Sequence, residues 1–174
     1  VLKSWIKLGA SFDAIINDLD EAGKKAAEHV INNLPEKKLS ATALLIPKLP
    51  EVSPADTSAI EKLRDSGLLI MPIAQNTNAL YVNASYQGKS FNDESIKLLQ
   101  PIAPQLLWLN VARTAITDKA TESLTNFSLL ERLHAENTSL TDGATPNISK
   151  LTNLKYLNLY GTDISDASIE NLRK

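Results

Sequence analysis

Three consecutive segments align without a gap at a period of 24 residues: 103–126 (APQLLWLNVARTAITDKATESLTN), 127–150 (FSLLERLHAENTSLTDGATPNISK) and 151–174 (LTNLKYLNLYGTDISDASIENLRK). A fixed period constrains the fold more than any local propensity. One such unit cannot bury its own apolar face and must stack on its neighbours. The matched columns are Leu106/Leu130/Leu154, Leu109/Leu133/Leu157, Val111/Ala135/Leu159, Thr114/Thr138/Thr162, Ile116/Leu140/Ile164, Asp118/Asp142/Asp166 and Leu124/Ile148/Leu172. An earlier copy runs from Leu80-Tyr81-Val82-Asn83 through Phe91-Asn92-Asp93 to Leu99, with about three extra residues around Gln87-Gly88-Lys89.

Each unit reads as a short strand, a turn and a short helix. Leu109 and Val111 alternate inward while Trp108, Asn110 and Ala112 point outward, as a period of two requires. Ile116 turns the chain back over the core. Thr117-Asp118, Thr141-Asp142 and Ser165-Asp166 then supply a helix N-cap and an acid in the first turn. Leu124, Ile148 and Leu172 bury the inner face of that helix. The Thr114/Thr138/Thr162 hydroxyls are expected to bond neighbouring loop backbone, since a buried hydroxyl needs a partner. The pattern predicts an α/β fold: a right-handed solenoid with parallel strands near 80–84, 107–111, 131–135 and 155–159, and helices on the other side.

The text before the repeats differs. From Ser11, apolar residues at Phe12, Ile15, Ile16, Leu19, Ala22, Ala26, Val30 and Leu34 form a helical stripe ending at Pro35. Three prolines in 47–54 (PKLPEVSP) make a rigid connector. Residues 57–65 read as a helix stopped by Ser66-Gly67, and Leu68-Leu69-Ile70-Met71 as a buried strand, a degenerate first repeat. Residues 1–52 are thus expected to form a helical N-terminal cap and connector covering the first edge of the solenoid, which occupies residues 53–174. The opening Val-Leu-Lys-Ser-Trp-Ile, with no initiating Met, reads as a segment of a longer protein.

The columns L-x-x-L-x-L-x-x-T-x-L resemble the leucine-rich-repeat family. The segments "ITDKAT", "LTDGAT" and "ISDASI" look like the 24-residue bacterial repeats of the "TDAGL" type. Upstream, Leu2, Trp5-Ile6, Gly9-Ala10 and Phe12-Asp13 resemble the tail of c-type cytochrome domains in planctomycete-type cell-envelope proteins. The resemblance implies a periplasmic or otherwise extracytoplasmic module of a membrane-anchored parent, following an electron-transfer domain. The haem motif C-x-x-C-H does not occur in these residues, so no cytochrome function passes to any of them.

Composition removes much chemistry. The 174 residues contain no cysteine and two histidines, which excludes disulfides, thiolate metal sites, iron–sulfur clusters and cysteine nucleophiles. His29 and His134 stand far apart, so neither cofactor nor catalytic metal is expected. Net charge is −2, with nine basic and ten acidic residues in 1–66 and the same numbers in 67–174. Such a balance advertises no nucleic-acid surface and no direct membrane contact. Gly88-Lys89-Ser90 has the end of a phosphate-binding loop, but the other glycine would fall at Asn83. The acids at the helix starts are explained by capping, and a spaced ladder does not converge as calcium ligands must.

The outward strand positions remain. Stacked, they give one column of Tyr81, Trp108, Arg132 and Tyr156, and a second of Asn83, Asn110, His134 and Asn158, with Tyr160 beyond. Aromatics beside amides on a concave sheet suit a protein, peptide or glycan ligand. The expected function is therefore a non-catalytic protein-interaction or scaffolding module. The alternative is a carbohydrate-binding attachment that stacks sugars on Tyr81, Trp108 and Tyr156. The edge of the last strand leaves room for a weak homodimer.

Overall fold

A computed structural model of the chain describes residues 49–173, together with Glu21, Lys24 and Lys25. The chain divides into two units, Val1–Lys48 and Leu49–Lys174. In the first, Glu21, Lys24 and Lys25 are helical, and Lys24 lies 3.4 Å from Glu21. The rest of the stripe expected from Ser11 to Pro35, and the segment resembling a cytochrome tail, lie outside the described residues.

The second unit is a mixed α/β structure around a five-stranded sheet of order β1-β2-β3-β4-β5. After the irregular stretch 49–56 comes α1 (Thr57–Asp65), whose N-cap Asp56 accepts from the Ser58 N–H at 2.9 Å. The helix stops at Ser66, before Gly67 at φ +88°. Strands β1 (Leu69–Pro72) and β2 (Leu80–Asn83) follow, then α2 (Asp93–Lys97), β3 (Leu106–Asn110), α3 (Asp118–Leu124), β4 (Arg132–His134), α4 (Thr145–Ile148), β5 (Tyr156–Asn158) and α5 (Ile169–Leu172). The helical turns of the last two repeats begin as 3₁₀ turns, Asp142–Ala144 and Asp166–Ser168.

Strands β2 to β5 are all parallel, in the register the repeats require: Trp108 pairs with Arg132 and Arg132 with Tyr156. The irregularity between β2 and β3 lies at Leu80/Tyr81. The extra length of the first copy is taken up by two 3₁₀ segments, Ser85–Ser90 and Gln100–Gln105. Lys89, in the loop with the phosphate-loop ending, donates from Nζ to the Thr114 carbonyl at 3.1 Å and so ties that loop to the next repeat.

β1 departs from expectation. It is antiparallel to β2, and of its residues only Ile70 is buried; it is not a degenerate repeat. The reason is the length of the link at 73–79. A parallel partner needs a crossover of a dozen or more residues, whereas a short loop returns the chain antiparallel. β1 therefore pairs the outer edge of β2. The cap expected from residues 1–52 lies, up to Lys48 and apart from Glu21, Lys24 and Lys25, outside the described residues.

The core follows the repeat columns. Leu106, Leu109, Val111, Ile116, Leu130, Leu133 and Leu140 have no exposed surface. Their equivalents in the last repeat, Leu154, Leu157, Leu159 and Ile164, are only partly buried against that core. A buried leucine of the middle repeat is thus closed on both sides by neighbours. Replacing Leu133 by Ala should destabilise by about 2–5 kcal/mol, the range for emptying a packed leucine site. A chemical-denaturation curve overlaying that of the wild type would disprove the inward assignment.

Two polar ladders hold the turns, and they divide the work differently from the sequence expectation. The Thr114, Thr138 and Thr162 hydroxyls donate within their own repeat, to Val111, Ala135 and Leu159 carbonyls at 2.6, 2.7 and 2.6 Å. The acids make the link between repeats. The Asp93 carboxylate accepts from the Thr117 N–H and hydroxyl, both at 2.7 Å. Asp118 accepts likewise from Thr141 at 2.8 and 2.6 Å, and Asp142 from Ser165 at 2.8 and 2.6 Å. Each such residue is helix cap and inter-repeat donor at once, since Thr117, Thr141 and Ser165 oxygens also accept from the N–H two residues on.

The Ser165 hydroxyl, then the Ser168 hydroxyl and the Ser165 N–H, hold the Asp142 carboxyl below its ordinary value. A folded-state value below the unfolded one means stability that is present above the ordinary aspartate value of about 3.9 and lost as pH falls through the depressed one. The melting-temperature advantage of wild type over Asp142→Asn should therefore shrink between pH 7 and pH 3. A gap that holds constant over that range would remove the carboxylate from the account.

Candidate functional site

Period-two alternation turns every second side chain of β2–β5 away from the core, and parallel pairing brings equivalent positions onto neighbouring strands about 4.8 Å apart. Tyr81, Trp108, Arg132 and Tyr156 accordingly form one row across the sheet. Tyr81 meets Trp108 edge to face, with ring centroids 6.4 Å apart and planes at 66°. The Arg132 guanidinium lies over the Trp108 ring at 4.7 Å from the centroid and 6.0 Å from that of Tyr156. A cation over an aromatic face is worth about 0.5–1 kcal/mol at an exposed site. The row is therefore a continuous stack rather than four independent side chains.

The second row behaves differently. Asn83 is buried, at 7% exposure, and its side-chain carbonyl accepts from the Ser85 N–H at 2.9 Å and hydroxyl at 2.7 Å. Asn110 accepts from the Ala112 N–H at 3.0 Å, and Asn158 from the Tyr160 N–H at 3.1 Å. These are turns closed by an asparagine on the backbone two residues ahead, a conformational role for Asn at strand ends. The amides expected to face a ligand thus spend their oxygens on ending the strands. His134 occupies the same column; its ring lies 4.8 Å from that of Tyr156, and its Nδ1 stands 3.5 Å from Glu136 Oε1. Tyr160 is 77% exposed.

Three features of this face escaped the sequence reading. Ala112, expected outward, is buried. Glu136, two residues beyond His134 in the outward row, has its Oε2 buried without a hydrogen-bond partner, and the Trp108 indole N–H is in the same condition. The turn beyond the row also has a column of its own: Arg113, Asn137 and Gly161 have φ of +59°, +55° and +69°. Their spacing of 24 carried that signal, but Arg at such a position hides it. At Gly161 a Cβ would come within 2.5 Å of Asn137 Oδ1, so a larger residue there would displace that side chain.

The face offers π-surfaces, one guanidinium, amide N–H groups and a histidine–carboxylate pair. These are means of recognition. Among the described residues, no group of three or more His, Asp or Glu side chains could hold a metal ion. No helix of the described residues is long and apolar enough to cross a membrane.

No protein-family model matches the chain, and no curated protein matches it. Among solved structures, an internalin from Listeria monocytogenes is similar, with 26% sequence identity and a TM-score of 0.32. The match covers 42% of this chain and 28% of the internalin chain, so this chain spans less than a third of that structure's length.

The stack generates its own test. Arg132→Ala should uncover the Trp108 ring while costing no more than about 1 kcal/mol of stability. The measured signs, in a Trp5→Phe background so that Trp108 alone reports, would be red-shifted tryptophan emission and stronger acrylamide quenching. Quenching equal to wild type would mean that the guanidinium does not cover the ring in solution.

Proposed function

We propose that this chain is a non-catalytic module that recognises another protein, built as a right-handed leucine-rich-repeat solenoid with its ligand on the open sheet face. The observation that carries the reading is the unbroken row Tyr81–Trp108–Arg132–Tyr156, held in register by parallel pairing and stacked edge to face and cation over ring. Trp, Tyr and Arg are the residue types that concentrate binding energy in protein interfaces. A rigid row loses little side-chain entropy on binding, which favours affinity. The near-balanced charge argues against nucleic acid as the partner.

The protein reading is preferred to a glycan reading on a specific ground. Sugar stacking needs an open aromatic face, and the Trp108 face is already occupied by the Arg132 guanidinium. Of the platform Tyr81, Trp108 and Tyr156, that leaves Tyr156 as the exposed ring; Tyr86 and Tyr160, also exposed, stand outside the row. The extracytoplasmic setting beside an electron-transfer domain is supported by the resemblance of Leu2 to Asp13 alone.

The double substitution Trp108→Ala, Tyr156→Ala should abolish capture of a mass-spectrometrically identified partner from a cell-envelope extract. Circular dichroism should show the fold intact, because both side chains lie outside the leucine core. If the same partner is captured by the folded double variant, the row is a solvated surface and the reading fails.

A further inference from the structure

We propose that Arg132 is a carboxylate receptor: that the partner presents an Asp or Glu side chain to its guanidinium at the centre of the stacked row. This rests on the reading of the open face as a protein-binding surface and specifies the chemistry of what binds there.

The argument is one of unmatched charge. Arg132 is exposed and makes no hydrogen bond or ion pair among the described residues, although its guanidinium is fixed over Trp108. Of the acids nearest in sequence, Glu131 is taken by Lys155 at 2.6 Å, while Glu136 turns Oε1 to His134 at 3.5 Å and buries Oε2, so neither pairs with the guanidinium. A guanidinium lying on an aromatic face keeps its N–H edge available, and that fork matches the two oxygens of a carboxylate. An exposed guanidinium fixed in place with no acceptor of its own calls for an acceptor from outside. A phosphate is the poorer match, because a doubly charged anion is usually held by clustered cations. Here the neighbouring Lys155 is already paired.

The fixed guanidinium also makes the site specific. Arg ordinarily loses side-chain freedom when it binds; here much of that loss is already incurred by the stack. Lysine at the same position would keep the charge and lose both the flat contact and the fork.

The probe is a library of linear random peptides displayed on phage and selected on the full 174-residue chain. Peptides whose binding is lost in the Trp108→Ala, Tyr156→Ala variant should share an acidic position. For one such peptide, replacing that Glu by Gln should weaken binding to wild type by about tenfold, as expected for losing a charge-assisted hydrogen bond. The same replacement should change binding to Arg132→Gln little, and Arg132→Lys should fall between. Circular dichroism of each variant keeps folding apart from binding. Face-dependent peptides without an acidic position, or a Glu-to-Gln ratio unchanged by Arg132→Gln, would overturn the carboxylate assignment and leave the protein-binding reading standing. Failure to enrich any peptide that depends on Trp108 and Tyr156 would overturn both.

Discussion

A strand, a turn and a helix in 24 residues leave two sides of each unit open, and only stacking can close them. This requirement organises everything between Leu80 and Leu172. Apolar columns close the interior, where Leu109, Leu133 and their neighbours lose all solvent contact. The turns cannot be closed that way, because their backbone N–H groups need acceptors. Asp93, Asp118 and Asp142 supply them, each reaching the N–H and hydroxyl of the cap one repeat further on. Leucine stacking sets the spacing, and the carboxylates fix one turn against the next. A second rank of side-chain bonds runs in parallel along the helices, from Asn147 to Thr121 and from Asn171 to Thr145, each at 3.2 Å.

The two edges of the sheet meet the same requirement in different ways. At β2 the neighbour is an antiparallel strand, short and ending in Pro72, which has no N–H to offer a further partner. Short strands and proline are common means of blunting an edge. At β5 the outer edge is unpaired within the described sheet, and the leucines beneath it are half-covered. The contrast follows from sequence. Residues 69–72 belong to a hairpin built to end the sheet, whereas 151–173 is a full repeat carrying every residue needed to support another layer. Asp166 still occupies the position from which its predecessors bind the next turn.

How much of this could be read beforehand depended on whether a feature repeated. The Leu and Ile columns, the parallel register and the helix starts at Thr117, Thr141 and Ser165 were legible because three copies agree. The row Tyr81, Trp108, Arg132 and Tyr156 was legible for the same reason, through the strict period rather than through residue type. What failed was what does not recur in kind. β1 has no second copy, and its direction is set by the short link at 73–79, a topological fact that residue propensity does not carry. The Asp column was visible, but its role was not: capping and inter-repeat bridging demand the same residue at the same place, and only the hydrogen bonds separate them. The left-handed column was masked because Arg113 and Asn137 stand where Gly161 alone would have announced the conformation.

Polar side chains in a repeat protein divide according to whether the chain itself uses up their hydrogen-bonding capacity. The hydroxyls of Thr114 and Thr138, the carboxylates of Asp93, Asp118 and Asp142, and the oxygens of Asn83, Asn110 and Asn158 all have backbone or cap partners within the repeats. Their recurrence is explained by folding, which removes much of the second row from the list of groups free to bind. The first row is not explained that way. A β-sheet face needs side chains that pack, and aliphatic residues would do so without an exposed guanidinium left unmatched. Unmatched groups cost stability when covered, so a fold gains nothing from them. Arg132 stands at the centre of the row on the open sheet face, a surface that stacking of one repeat on the next does not close.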